Sequence, residues 1–136
     1  MGKVSFKSPL TPVPANVDEV YIFISDLRNF EPLMPDQVEK WSAERDRCEF
    51  TISGLLTFSM EIVQRKKDKV VLTSGDITPV DFELKCNILE SKEETKVEIE
   101  LEADLSPMVK MMASRPLQNL VDIMAEKLGE QFDFPD

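Results

Sequence analysis

Apolar and polar residues alternate through most of this chain, and the period becomes helical only near the beginning and at the end. Val4, Phe6 and Ser8 against Ser5 and Lys7 predict a first strand over 3–8, ended by Pro9 and the segment Thr11-Pro12-Val13-Pro14. Val17, Val20, Tyr21, Ile24 and Leu27 then recur at helical spacing. Asn16 suits the N-cap, with Asp18 and Glu19 in the first turn, so a helix is expected over 16–28. Asn29 is placed to cap a second, short helical corner over 29–34, which Pro35 stops.

From Val38 the period is two. Trp41 and Ala43 share a face, as do Cys48, Phe50 and Ile52, and Gly54 ends this pair of strands. Leu56, Phe58, Met60 and Ile62 alternate with Thr57, Ser59 and Glu61, and Val70, Leu72 and Ser74 return toward Gly75-Asp76. Arg65, Lys66, Lys67 and Lys69, interrupted by Asp68, form the expected solvated turn of that hairpin. Val80, Phe82, Leu84, Cys86 and Ile88 face one way, and Val97, Ile99, Leu101, Ala103 and Leu105 repeat the pattern against Glu98, Glu100, Glu102 and Asp104. With Glu90 to Thr95 as the connecting loop, Lys85 stands opposite Glu100 or Glu102, a cross-strand pair worth about 0.2–1 kcal/mol. These six to seven strands predict a curved antiparallel meander with one wet, acidic face.

Ser106 and Pro107 suit the cap and first position of a closing helix, along which Met108, Met111, Met112, Leu117, Leu120, Val121, Met124, Leu128 and Phe132 form a stripe. Pro116 sits inside it and is expected to kink or break the helix at 112–116. Gly129 is an interior glycine or an early C-cap, and Phe132 and Phe134 are expected to dock the tail. A sheet half-wrapping a helix encloses a cavity of the kind that takes small apolar ligands. Its expected walls are Phe50, Ile52, Phe58, Met60, Leu72, Phe82, Leu84, Cys86, Ile99 and Leu101 from the strands. Met108, Met112, Arg115, Leu120 and Met124 complete it from the helix. Methionine adapts to irregular apolar shapes, and Arg115 beside the break is long enough to meet a carboxylate or phosphate at the cavity mouth. The structural alternative is that these residues fill an ordinary core.

A length of 136 residues implies one domain over 1–136. With 31% charged and 42% apolar residues, the chain has no apolar run near the roughly 20 residues of a membrane span, so no stable membrane insertion is expected. The first ten residues carry no secretory pattern, and Phe6 counts against myristoylation. Net charge is -10, from 26 acids and 16 bases, which disfavours nucleic acid as a partner. Cys48 and Cys86 both fall on apolar strand phases, which suits reduced thiols and a cytoplasmic location. There is no histidine, so the histidine-based pairs and metal sites are excluded. No cofactor, metal or catalytic set is assigned. The acids from Glu98 to Asp104 lie about 7 Å apart along a strand, too open for a closed oxygen shell.

Four local phrases, in this element order, carry a resemblance across nearly the whole chain. They are Ser8-Pro9, the helix Val17-Asp-Glu-Val-Tyr-Ile-Phe-Ile-Ser-Asp26, the corner Asn29-Phe-Glu-Pro-Leu-Met-Pro35, and Asn119-Leu-Val-Asp-Ile-Met-Ala125. The chain resembles the START-like superfamily, also called SRPBCC or polyketide cyclase/dehydrase and lipid transport. That implies the α+β helix-grip fold, a curved antiparallel sheet wrapped around a long C-terminal helix with two short helices after the first strand. The superfamily spans lipid and steroid carriers, hormone receptors, aromatase/cyclases and co-chaperone domains, so the fold leaves function open. Three readings follow. The first is a non-enzymatic binder of a lipid-like or polycyclic molecule, whose uptake Leu84→Trp or Met112→Trp would block while leaving the protein folded. The second is a protein-interaction module using the acidic sheet face, and the third a cyclase/dehydratase-type enzyme.

Overall fold

The computed structural model describes residues 2–52, 54, 56–75, 81–90 and 94–132, with only the backbone for Leu56. Asp76, Val80 and Phe134, assigned above to a turn, a strand and a docked tail, lie outside these residues, as does the centre of the 90–95 connection. In chain order the elements are β1 (Gly2–Lys7), β2 (Thr11–Val13), α1 (Val17–Ile24), two 3-10 turns (Leu27–Asn29 and Glu31–Leu33), β3 (Val38–Ala43) and β4 (Arg47–Ile52). β5 (Leu56–Lys66), β6 (Lys69–Ser74), β7 (Phe82–Glu90), β8 (Thr95–Leu105) and α2 (Pro107–Glu130) follow.

The strands form one sheet in the order β1-β8-β7-β6-β5-β4-β3, with β2 also on β8, and every pairing is antiparallel. The expected meander is present with one strand more than the alternation indicates. β2 is three residues long and carries Pro12 opposite Lys96, too short to show a period and tolerable because it lies along an edge. Between β1 and β2 the Ser8 side chain takes over the ladder. Its hydroxyl accepts from the Ile99 amide at 2.9 Å while the Ser8 amide donates to the Ile99 carbonyl at 2.9 Å. Ser8 is thereby buried without an orphaned polar atom.

α1 starts as expected, with a capping box in which Asn16 Oδ1 accepts from the Glu19 amide at 2.8 Å and Glu19 Oε1 accepts from the Asn16 amide at 3.3 Å. It ends at Ile24, four residues before the expected boundary. The reason is local. Ser25 Oγ donates to the Tyr21 carbonyl at 2.6 Å, and Asp26 accepts from the Arg28 amide at 3.0 Å, capping a 3-10 turn instead of continuing the helix. Asn29 does not cap the second turn, which lacks a side-chain cap; its side-chain Nδ2 donates to the Phe23 carbonyl.

The basic turn also needs correction. Lys67 and Asp68 do form the β5–β6 turn, but Arg65 is half-buried and donates through Nε and Nη2 to the Ser25 carbonyl at 3.1 and 2.9 Å, and pairs with Asp46. Arg65 thus fastens the end of α1 to the sheet. Lys85 faces Glu100 in register, as expected. The acidic row is interleaved with base from β1, where Lys3 reaches Glu102 and Lys7 reaches Glu100, each at 3.9 Å.

α2 runs from Pro107 to Glu130 without the expected break, with Pro116 inside it. A proline removes one backbone donor, and the packing of the flanking turns outweighs that loss. Leu117, Leu120, Val121, Met124, Ala125, Leu128 and Gly129 are all buried. This half is also tied by polar links, since Lys127 Nζ donates to the Met34 carbonyl at 3.0 Å and Gln118 Nε2 to the Lys7 carbonyl at 3.0 Å. A Cβ on Gly129 would stand 3.1 Å from the Pro12 carbonyl oxygen, so glycine lets β2 come this close to the helix.

Candidate functional site

Most of the expected ligand-contacting residues form a packed interior. Phe50, Met60, Leu72, Phe82, Leu84, Cys86, Ile99, Leu101, Leu120 and Met124 are buried in one continuous apolar cluster. The aromatic rings make a row, Trp41 to Phe50 to Phe58 to Phe82, with successive centroids 5.5, 5.6 and 5.5 Å apart. Phe50 and Phe58 are direct cross-strand partners on β4 and β5. Trp41 is half-buried, held at a register shift in β3 next to Lys40, whose backbone is left-handed at φ 56°. Tyr21 is half-buried on α1.

An apolar slot of about 50 Å³ lies beside Phe58 of this row, between the β4–β5 hairpin and the first half of α2. Ile52 and Phe58 supply the sheet side; Val109, Met112, Ala113, Pro116 and Leu117 supply the helix side. Spacing explains the helix wall, because 109, 112, 113, 116 and 117 recur every three or four residues on one face. The slot has room for the end of an alkyl chain or a few waters. Beside it runs a groove of about 360 Å³ lined by Pro35, Gln37, Ile52, Arg115, Pro116 and Asn119. Ile52 and Pro116 are walls of both, so slot and groove form one stepped depression.

Of the fifteen expected residues, then, Ile52, Phe58, Met112 and Arg115 border this depression. Leu84 borders neither part of it and is 1% exposed. Met108 also borders neither, and with Met111 it lies on the surface, at 72% and 86% exposure. Met112, 56% exposed, covers the slot from one side. Pro35, Gln37, Val109, Ala113, Pro116, Leu117 and Asn119 were not among the expected walls. Asn119, four residues from Arg115, was within reach of helical spacing; Pro35 and Gln37 come from the turn before β3 and no local pattern marks them.

Little in the depression is reactive. The thiols of Cys48 and Cys86 are buried, and burial pushes both up to about 12, so neither is a nucleophile near neutral pH. Asp26 is held down at about 2 by its hydrogen bond to Arg28, on the surface near the first 3-10 turn. Among the described residues there is no cluster able to hold a metal ion, and no helix is long and apolar enough to cross a membrane. A second groove, lined by Pro9, Thr11, Pro12 and the acids Asp122, Glu126 and Glu130, follows the outer edge of α2.

No family model matches the chain, and no curated protein matches it either. Solved structures do. TTHA0849 from Thermus thermophilus is 18% identical, superposes with a TM-score of 0.71, and the match covers 96% of this chain and 97% of that one. A START superfamily protein from Mycobacterium smegmatis is 15% identical with a TM-score of 0.62, covering 96% of each chain. Norcoclaurine synthase from Thalictrum flavum is 11% identical with a TM-score of 0.68, covering 96% and 86%; it has also been solved with dopamine and hydroxybenzaldehyde. At these identities the likeness speaks for the fold alone, and together with the eight-stranded curved sheet closed by α2 it establishes that this chain has the START-like helix-grip fold.

Proposed function

We propose that this protein binds a small hydrophobic or amphipathic molecule in the depression between the β4–β5 hairpin and the first half of α2. The observation that carries this reading is the slot's lining: seven apolar residues from sheet and helix, beside a groove that opens to solvent. Met112 suits it, since an unbranched thioether at a cavity rim reshapes around different guests. That a structurally similar enzyme has been solved with small aromatic molecules is in keeping with the reading. The free, buried cysteines favour a reducing, cytoplasmic setting.

The acidic-face reading has less support, because Lys3 and Lys7 interleave the acids of β8. Among the described residues no reactive set supports the enzymatic one. Native mass spectrometry of the purified protein against its denatured mass tests the proposal. A retained adduct of defined mass, lost from Met112→Trp, is expected. An adduct unchanged in that variant would move the site elsewhere.

A further inference from the structure

Among the described residues Arg115 is the one cation lining the depression, and it is uncommitted. Among the described residues it enters no ion pair or hydrogen bond, although the chain carries 26 acids. Its helical neighbours explain this. The residues three and four away on α2 are Met111, Met112, Gln118 and Asn119, none of them acidic. Among the described residues the groove's other walls, Pro35, Gln37, Ile52, Pro116 and Asn119, add no carboxylate either.

Gln37 and Asn119 have side chains without a hydrogen-bond partner among the described residues, and both line the same groove as Arg115. Asn119 lies one helical turn beyond Arg115, while Gln37 comes from the turn facing the helix. Three unengaged polar groups thus stand on one side of Ile52 and Pro116, and the wholly apolar slot on the other.

We propose that this groove holds the anionic head of an amphipathic ligand, with the Arg115 guanidinium on a carboxylate or phosphate, Gln37 and Asn119 donating to its remaining oxygens, and the apolar end in the slot. This rests on the binding function proposed above and adds the ligand's charge. Arginine's planar fork pairs two donors with two oxygens of such a head, a geometry lysine does not reproduce. The net charge of -10 opposes an anionic ligand at long range, but a screening length of about 8 Å at physiological salt confines that repulsion, so the contact with Arg115 decides at the groove.

Isothermal titration with decanoate, decyl phosphate, decanol and inorganic phosphate, on the wild type and on Arg115→Gln and Arg115→Lys, separates head from tail. The wild type is expected to bind the two anionic amphiphiles about tenfold or more tighter than decanol. Arg115→Gln should bring that preference to within about twofold by weakening the two anionic amphiphiles far more than decanol, and Arg115→Lys should keep part of it. Inorganic phosphate alone should bind far more weakly than decyl phosphate. Equal binding of decanoate and decanol by the wild type, or a preference that survives Arg115→Gln, overturns the proposal while leaving the binding function standing. Failure of decanol and decanoate alike overturns both, and inorganic phosphate binding as tightly as decyl phosphate shows a free-anion site instead. Thermal melts of the variants, unchanged for an exposed side chain, confirm that each is folded.

Discussion

The two halves of α2 are built from similar residues and used in opposite ways. From Leu117 to Gly129 every position on the inner face is buried, and polar ties to Lys7 and Met34 fasten the half at two places. From Pro107 to Pro116 only Ala113 is buried, three methionines are exposed, and the slot stands between helix and sheet. Apolar periodicity continues across both halves, so it does not distinguish a helix that is core from one that is a wall. What differs is the opposing surface: Lys7 at the end of β1, Pro12 of β2 and Met34 after the second 3-10 turn come up against the second half, while the end of the β4–β5 hairpin leaves a slot against the first.

The sharpest way to break this comparison is to truncate each half in turn. Leu128→Ala, at a fully buried site, is expected to cost about 2–5 kcal/mol in denaturant unfolding, against under about 0.5 kcal/mol for Met111→Ala. Equal costs would mean the halves share one structural role. Enlarging side chains is the next test. Leu84→Trp overpacks the dense interior and should destabilise by about 1–3 kcal/mol or more, whereas Met112→Trp, at the slot's open side, should leave the melting temperature nearly unchanged. Two substitutions that look equivalent in sequence therefore separate into one that breaks the fold and one that tests the site.

Proton linkage sharpens the picture of the core. The folded-state thiols of Cys48 and Cys86 lie at about 12, above their unfolded values, so the folded state holds protons that the unfolded chain releases. Stability is then full below about pH 8 and declines as pH rises toward 12, and neither thiol should react with a disulfide reagent at neutral pH until the protein is denatured. Asp26 has the opposite sign. Held at about 2 by Arg28, it contributes stability above the ordinary carboxylate range that is lost as pH falls toward 2. The melting-temperature difference between wild type and Asp26→Asn should accordingly shrink over that acid window. The smallest effect is expected at Gly129→Ala, where the usual helical gain of up to about 1 kcal/mol is offset by the approach to the Pro12 carbonyl oxygen, 3.1 Å from the new Cβ.

Strand positions were legible because buried and more exposed residues alternate along β4, β7 and β8. β7 and β8 are the clearest, and the loop length narrowed the partner of Lys85 to Glu100 or Glu102, of which the register selects Glu100. β2 was not legible, since three residues with a central proline carry no period. The early end of α1 was not, because Ser25 and Asp26 divert the backbone through side-chain bonds that compete with a continuing helix. The candidate site was legible only in part. Ile52, Phe58, Met112 and Arg115 stood on the right faces, but residues such as Leu84 and Leu101 have the same pattern and lie in solid core. Periodicity reports which way a side chain faces. Whether an atom or a void faces it is decided by partners far away in the chain, as Pro35 and Gln37 are for Arg115.

Amide chemical-shift mapping during titration with decanol tests the central claim most directly. The account predicts that perturbations concentrate at Ile52, Phe58, Ala113 and Leu117 and fade along α2 before Val121, Met124 and Leu128. Perturbations centred on the second half of the helix, or none at saturating decanol, would contradict it.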